Sequence, residues 1–289
     1  MTAPSQHARS DKALVSLTSV GLTPLVPVNP TAPLDLGNAA ARVSGAANKK
    51  ELEAALAQRL ARLEVLQDAL FADGRHAVLL VLQGRDASGK DGVIKTVCGA
   101  FNPTGVRVTA FGPPTPLELR HDFLWRVHQA VPPRGQVGVF NRSHYEDVLA
   151  VRVRRLAPET IWRARYAHIN AFEELLHANG VVICKCFLHV SQDEQHERLT
   201  ERLDDPHKNW KFRAEDIEDR ARWPEYTEAY HEALTRCSTA AAPWYVVPSD
   251  SKTVRNLLIA DVLMRAMEAL PLQYPTMPDA VREAARDFR

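Results

Sequence analysis

A short turn with two glycines, a lysine and an aspartate has the residue types of a phosphate-binding loop. Its spacing, Gly84-x4-Gly89-Lys90, fits the P-loop (Walker A) pattern, in which backbone N–H groups at a helix start bind an anion. Glycine lets the backbone approach phosphate oxygens closely, and Lys90 adds a point charge. A carboxylate in such a loop repels phosphate unless a cation lies between them, so Asp86 is predicted to bind Mg²⁺.

The same turn departs from the P-loop pattern at one position. Asp91 stands where a serine or threonine usually follows the lysine, so the hydroxyl that would bind Mg²⁺ is missing. The alternative is a simple glycine turn between a strand and a helix, with Lys90 in solvent. An apolar run at 77–82 before the turn and apolar residues at helical spacing after it favour the phosphate loop, and the simple turn leaves Asp86 unexplained.

A second polar segment begins at the end of another short apolar run, with Asn141 and Arg142. P-loop folds often place an acid here to hold Mg²⁺, but Asn141 is neutral. Arg142 can bind phosphate oxygens through two N–H groups. The alternative for Arg142 is a structural ion pair with Glu146 or Asp147. Phosphate binding is favoured, because the residue follows the strand where a ligand is expected.

A third segment, near residues 204–225, combines basic and aromatic residues and is predicted to be a lid. It would close over phosphates and supply positive charge. The alternative is a solvated helix end, but Trp210 and Phe212 favour a loop that packs on something. Between residues 198 and 213, a stretch that leads into this segment, there are five bases: Arg198, Arg202, Lys208, Lys211 and Arg213.

A further arginine group would either extend a track for anions or face solvent, and both readings stay open. Its members are Arg152, Arg154, Arg155, Arg163 and Arg165.

Strand patterns that alternate with helix patterns predict a parallel, three-layer α/β domain. Ligands of such sheets bind at the carboxyl ends of the strands, which brings the phosphate loop and the Asn141 segment to one edge. The predicted strands are 77–82, 105–111, 136–140, 181–190 and 244–247. The predicted helices are 49–73, one after Lys90, 117–130, 158–179, one capped by Ser191, segments within 215–237, and 252–270.

Three regions are predicted along the chain. Residues 1–48 form an extended or partly disordered arm rich in Pro, Ala, Ser, Thr and Val. Residues 49–270 are predicted to form the P-loop domain with its lid at about 204–225, and 271–289 a peripheral tail. The leucine stripe of helix 49–73 is expected to pack on the sheet, with dimerisation as the alternative.

Composition narrows the class of protein. The 289 residues are 45% hydrophobic and 25% charged, with a net charge of +1, so nothing draws the whole chain to nucleic acid or an anionic membrane. No apolar run approaches the ~20 residues of a membrane span. Four cysteines show no disulfide framework, so a reduced, cytoplasmic setting is expected. Cys184 and Cys186 are expected to be core thiols rather than metal ligands.

These segments together resemble the polyphosphate kinase 2 family. The resemblance covers roughly residues 71–270, in order and without large gaps. The matching motifs are LQGRDASGKDG at 82–92, HDFLWR at 121–126, VFNRSHYEDV at 139–148 and DPHKNWK at 205–211.

The resemblance implies a P-loop kinase fold with a helical lid and Mg²⁺-dependent phosphoryl transfer between inorganic polyphosphate and nucleotides. It implies that Asp86 holds Mg²⁺, that Lys90 and Arg142 bind the transferring phosphate, and that Asn141 lies in the catalytic site. Residues assigned to substrate binding are Gly84, Arg85, Ala87, Ser88, Gly89, Asp91, Glu146, Arg202, Lys208, Lys211 and Arg213.

Two features differ from many family members. Asn141 replaces an aspartate, and Ser-His-Tyr-Glu-Asp follows at 143–147. Both resemble the third subclass, which phosphorylates AMP as well as ADP to give ADP and ATP. The neutral Asn141 leaves open whether that strand supplies a second direct metal ligand.

Three other functions fit parts of the sequence. An ATP-dependent nucleotide kinase of the thymidylate-kinase type would transfer phosphate to its acceptor from ATP and would not use polyphosphate. A non-catalytic nucleotide-binding module would not need the Asp86 carboxylate. A nucleic-acid binder is least favoured, because few aromatics lie between the bases. The expected partners are thus polyphosphate and AMP, ADP or ATP, without nucleic acid or membrane, in a homo-oligomer.

Overall fold

The computed structural model describes residues 14–288, apart from the side chains of Lys211 and Asp287. In this part of the chain, one sheet of five parallel strands has the order β2-β3-β1-β4-β5. The strands are β1 (Ala77–Gln83), β2 (Val106–Ala110), β3 (Val137–Asn141), β4 (Val181–His189) and β5 (Trp244–Pro248). The register pairs Leu82 with Asn141, so the phosphate loop and the Asn141 segment leave the same edge of the sheet.

Helices cover both faces of the sheet and make the three layers that the sequence predicts. The helices of the domain are α1 (Lys49–Asp73), α2 (Lys90–Thr96), α3 (Trp125–His128), α4 (Ala150–Val153), α5 (Glu159–Ala178), α6 (Gln192–Asp204), α7 (Ala214–Ala221), α8 (Trp223–Arg236) and α9 (Lys252–Glu268). Helices α1, α2 and α9 share one apolar core with one face of the sheet, and α5 and α8 share another with the opposite face. All seven residues of β1 are buried, as expected for a central parallel strand.

Helix α1 has the predicted bounds. Asn48 caps its start by accepting a hydrogen bond from the Glu51 N–H, and Gly74 ends it in the left-handed conformation with φ 64°. Its leucine stripe is buried in the core that contains α9, which supports packing over dimerisation. A buried ion pair of 3.0 Å between Arg59 and Asp261 also joins α1 to α9.

The predicted helix at 117–130 is wrong. The structure has a short 3₁₀ turn at Glu118–Arg120 and the single turn of α3. Between them, the Asp122 carboxylate accepts a hydrogen bond from the Leu124 N–H at 3.0 Å. This local side-chain bond competes with the helical bonds of the backbone and divides the segment.

The described part of the N-terminal arm, residues 14–48, lies along the domain. It has 3₁₀ turns at Thr18–Val20 and Asn38–Ala41, and Leu22 is among its buried side chains. The Val28 N–H donates to the Trp244 carbonyl at 2.8 Å, so the arm also borders the edge strand β5. The rest of the arm lies outside the described residues, and the domain boundaries stay a prediction.

The C-terminal tail includes one more helix, α10 (Asp279–Ala284), whose residues are exposed. The four cysteines are buried and unpaired by disulfides, as predicted for core thiols. Among residues 14–288, no helix is both long enough and apolar enough to cross a membrane.

Candidate active site

The phosphate loop connects β1 to α2 and has a backbone that requires glycine at its end. Gly89 has φ 102°, which L side chains rarely adopt. A Cβ atom at Gly89 would lie 1.9 Å from Nη1 of Arg255, a buried side chain of α9. Sequence spacing therefore located the loop, while the arginine that supports Gly89 from behind was missed.

Lys90 is buried within the loop. Its ammonium donates to the carbonyls of Gly84 at 2.7 Å and Arg85 at 3.2 Å. The pKa of Lys90 is lowered to about 8, by burial and then by the charge of Arg142, with Asp86 opposing both effects. The lysine charge is therefore held at the loop rather than in solvent.

Asp86 and Arg142 form an ion pair between the two predicted polar segments. Arg142 Nη2 lies 2.5 Å from Asp86 Oδ1, and Arg142 Nη1 lies 3.5 Å from Glu146 Oε2. Burial disfavours the charged form of Asp86, but Arg142 and Lys90 outweigh it and hold the pKa of Asp86 below its usual value. Glu146, followed by Asp86, raises the pKa of Arg142. The alternative pair with Glu146 is thus present, yet Arg142 also lies beside the loop.

The two residues that depart from the P-loop pattern bind each other. Asn141 Nδ2 donates to Asp91 Oδ1 at 2.9 Å. Asp91 is in the first turn of α2, and Asn141 is the last residue of β3. A carboxylate is therefore present between β3 and α2. It belongs to Asp91 on the helix, whereas P-loop folds often place it at the end of the strand.

Arg85 was predicted to bind substrate, and the structure packs its side chain against α8. The guanidinium lies 3.9 Å from the Trp223 ring centroid and donates to Thr227 Oγ1 at 2.6 Å. Burial lowers the pKa of Arg85 to about 10. Its observed contacts join the phosphate loop to α8, so a direct role in substrate binding stays a prediction.

The predicted lid consists of the end of α6, a 3₁₀ turn at Asn209–Lys211, and α7. Lys208 is 2.6 Å from Glu201 of α6 and 3.1 Å from Asp205, so its charge is paired with carboxylates at and just after the end of that helix. Trp210 is 73% exposed, and its Nε1 donates to the His207 carbonyl at 3.1 Å. Phe212 is half-buried.

One carboxylate, that of Asp216, contacts the side chain of Arg202 and the backbone of Arg213. Arg202 Nη1 lies 3.9 Å from Asp216 Oδ2, and the Arg213 N–H donates to the same oxygen at 3.4 Å. Burial raises the pKa of Asp216, and the negative charge of Asp86 raises it further. This coupling brings α7 into the electrostatic surroundings of Asp86, a contribution that the sequence did not predict. The side chain of Lys211 lies outside the described residues.

The second arginine group is largely paired with carboxylates rather than turned to solvent. These pairs join α4 and α5 to α7, α8 and the Asn141 segment. The pairs are Arg152 with Glu228 and Glu232, Arg154 with Asp219, Arg163 with Glu159 and Glu232, and Arg165 with Asp147. Arg155 is exposed and has φ 55°.

The fold and the site define a P-loop kinase. The family model of polyphosphate kinase 2 (PPK2) matches residues 46–274, and the chain belongs to this family.

Two curated relatives and a solved structure agree with this assignment. The chain is 53% identical over 229 residues to the AMP/ADP-polyphosphate phosphotransferase of Meiothermus ruber, covering 79% of this chain and 85% of the relative. It is 44% identical to the ADP-polyphosphate phosphotransferase of Rhodopseudomonas palustris, covering 84% and 88%. The crystal structure of Polyphosphate Kinase 2 from Arthrobacter aurescens TC1 has a TM-score of 0.83 at 39% identity, covering 95% of this chain and 98% of that one.

Proposed function

We propose that the chain transfers phosphoryl groups between inorganic polyphosphate and AMP or ADP, in both directions and with Mg²⁺. The observation that carries this proposal is the cluster of Lys90, Asp86 and Arg142 at the phosphate loop. Family membership and the names of the relatives support polyphosphate-dependent phosphotransfer over an ATP-dependent nucleotide kinase. The M. ruber relative is named for both AMP and ADP, which supports both acceptors here.

The residues at the loop suit transfer between two anionic phosphates. Such a reaction depends on alignment and charge neutralisation, and it needs little covalent chemistry from the protein. Lys90 and the loop N–H groups bind phosphate oxygens, and Arg142 can bind two oxygens of the transferring group. The attacking atom is already an anionic phosphate oxygen, so the protein need not supply a strong general base.

The donor set suits a hard divalent cation. Within the described residues, no group of three or more His, Cys, Asp or Glu side chains is arranged to hold a metal by itself. Mg²⁺ at phosphotransfer sites is usually bound by one or two carboxylates together with waters and substrate phosphates. Asp86, kept ionised by Arg142 and Lys90, is the carboxylate that would hold it. When bound, Mg²⁺ would neutralise charge on the phosphate oxygens.

Purified protein should be incubated with Mg²⁺, polyphosphate and AMP, and then with ADP in place of AMP, and the nucleotides separated. ADP and ATP are the expected products. A parallel reaction with ATP as donor and no polyphosphate tests the alternative, since an ATP-dependent kinase would work there and ignore polyphosphate. A homo-oligomer and a cytoplasmic location belong to the same proposal, and the mass in solution tests the first.

A further inference from the structure

Helix α6 places two polar side chains behind the phosphate loop. Gln195 and Arg198 are three residues apart, so they lie on the same face of the helix. They are only 3% and 9% exposed. Buried polar groups are costly unless they are hydrogen-bonded, so their partners indicate their role.

These two side chains bind three consecutive carbonyl groups of the loop. Gln195 Nε2 donates to the Asp86 carbonyl at 3.0 Å. Arg198 Nη1 donates to the carbonyls of Ala87 at 2.9 Å and Ser88 at 3.2 Å. The backbone of the loop is therefore held from the side of α6 at each of residues 86–88.

Arg198 is fixed in one orientation because its five N–H donors match five acceptors. Besides the two loop carbonyls, its Nε donates to Glu194 Oε1 at 2.7 Å. Its Nη2 donates to the carbonyls of Ser249 at 2.7 Å and Asp250 at 2.9 Å, in the connection from β5 to α9. The guanidinium thus joins the phosphate loop, α6 and the end of β5.

The geometry of the peptide bond determines where the N–H groups of the anchored loop point. Across a planar trans peptide, a carbonyl and the N–H of the next residue point in opposite directions. Residues 14–288 contain no cis peptide bond. Since the carbonyls of residues 86–88 face α6, the N–H groups of residues 87–89 face away from it. Of these, the Ser88 N–H closes a turn with the Arg85 carbonyl at 3.1 Å, so the N–H groups of Ala87 and Gly89 are the two that can bind phosphate on the side away from α6.

The same glutamine also contacts the predicted lid. Gln195 Oε1 accepts a hydrogen bond from Arg220 Nη1 at 2.8 Å, and Arg220 lies on α7. Arg220 Nη1 also donates to the Gln192 carbonyl at 3.0 Å. The Gln195 side chain therefore binds the lid helix α7 through its oxygen and the phosphate loop through its nitrogen.

We propose that Gln195 and Arg198 are positioning residues of the phosphotransferase. Arg198 and Gln195 hold the loop carbonyls so that the loop amides face the phosphates. Gln195 also transmits the position of α7 to the loop at Asp86. The proposal deepens the proposed function, and its test includes a binding measurement that needs no turnover.

Gln195→Glu separates the two contacts of this side chain. Glutamate keeps the size and an oxygen for Arg220, but it has no N–H for the Asp86 carbonyl. We expect kcat to fall roughly tenfold, the rate equivalent of one hydrogen bond, with a smaller change in KM. The melting temperature should also fall, because a buried carboxylate oxygen would face the Asp86 carbonyl, so the kinetics are measured well below it. The kcat of Gln195→Met, which loses both contacts, should fall further. In a double-mutant cycle, Gln195→Met and Arg220→Met should be non-additive in kcat.

Arg198→Lys keeps the charge, but a lysine ammonium cannot bind both the phosphate loop and the connection from β5 to α9. We expect kcat to fall on the order of 100-fold, as for a small displacement of an aligned group. Calorimetry with inorganic tripolyphosphate should show a higher Kd for Arg198→Lys than for wild type. Glu197→Gln, an exposed change on the same helix, is the matched control and should match wild type in each measurement.

The positioning role would be overturned if Gln195→Glu and Arg198→Lys kept wild-type kcat, KM and tripolyphosphate Kd well below their melting temperatures. If Arg198→Lys fails to fold, Gln195→Glu alone decides the result. Absence of polyphosphate-dependent turnover in the wild type would refute the proposed function instead. In that case the tripolyphosphate Kd still tests the positioning of the loop.

Discussion

The phosphate loop and the lid loop both concentrate positive charge, but they hold it differently. Lys90 is 8% exposed and binds backbone carbonyls of its own loop, whereas the Lys208 side chain is 46% exposed and is paired with Glu201 and Asp205. Burial lowers the pKa of Lys90, and hydrogen bonds to the two carboxylates raise that of Lys208. The phosphate loop is therefore organised by the fold, while Lys208 would have to leave its carboxylate partners in order to bind a phosphate.

The largest effect is expected at the phosphate loop. Asp86→Asn and Lys90→Ala should each lower turnover by about 100- to 1,000-fold, the usual cost of removing one electrostatic group at a reacting centre. Both residues lie where β1 connects to α2 and neither is in the middle of a strand or helix, so circular dichroism should be unchanged. Turnover of polyphosphate with ADP is the measurement. Substantial activity in either variant would remove these residues from the catalytic site.

The lid should show a smaller loss. In Lys208→Met/Arg213→Met, we expect turnover to fall about 100-fold, because each charge-assisted contact to phosphate contributes about 1.5–3 kcal/mol. Stability should change little, because exposed ion pairs contribute little to folding. Added salt should weaken polyphosphate use more in the wild type than in the variant.

The matched control for the lid is Lys50→Met/Arg134→Met, which removes two exposed charges from outside the lid. It should keep wild-type turnover and the wild-type salt dependence. If the lid variant behaves like this control, residues 204–225 are a solvated helix end, which is the alternative that the sequence left open.

A pH profile tests whether the phosphate-loop charge is organised by burial. The pKa of Lys90 is about 8, against an ordinary value of 10.5. As the pH rises through about 8, Lys90 in the free enzyme loses its charge, and kcat/KM should fall about tenfold per pH unit. The folded state releases this proton before the unfolded state does, so the Lys90 contribution to stability should increase between pH 8 and 10.5.

The measurement is kcat/KM from pH 6 to 10, with melting curves over the same range. Activity and stability should thus change in opposite directions above pH 8. Lys90→Ala should lack the stability increase. A flat kcat/KM across pH 8 would show that burial does not set the charge of this lysine.

The difference between the two loops also explains what could be predicted from sequence. The phosphate loop follows from local signals, since an apolar run, two glycines and a lysine at fixed spacing already define a strand, a turn and a helix start. Gln195, Arg198 and Arg255 carry no such signal, because their burial depends on contacts between distant parts of the chain. The prediction of a helix at 117–130 was wrong because the Asp122 side chain binds the nearby backbone. The spacing of hydrophobic residues gives no information about such a bond.

The smallest effect is expected at the pair of Asn141 and Asp91. Asn141→Asp replaces the amide donor with a carboxylate next to Asp91 Oδ1, which is 2.9 Å from the amide nitrogen. The two carboxylates would repel each other, and a cation near them would be held more tightly. We expect half-saturation by Mg²⁺ at a concentration a few-fold lower, as for a weak change in ligand charge, together with a changed ratio of AMP to ADP use.

The exchange Asp91→Asn/Asn141→Asp is the sharpest control, because it restores one amide, one carboxylate and the hydrogen bond between them. If the position of the carboxylate matters, Asn141→Asp and the exchange should differ from wild type in the AMP/ADP ratio, while only Asn141→Asp should lower the melting temperature. Unchanged Mg²⁺ titration and an unchanged AMP/ADP ratio in Asn141→Asp would place this pair outside the site. The pair would then have a structural role in supporting the phosphate loop, as we propose for Gln195 and Arg198.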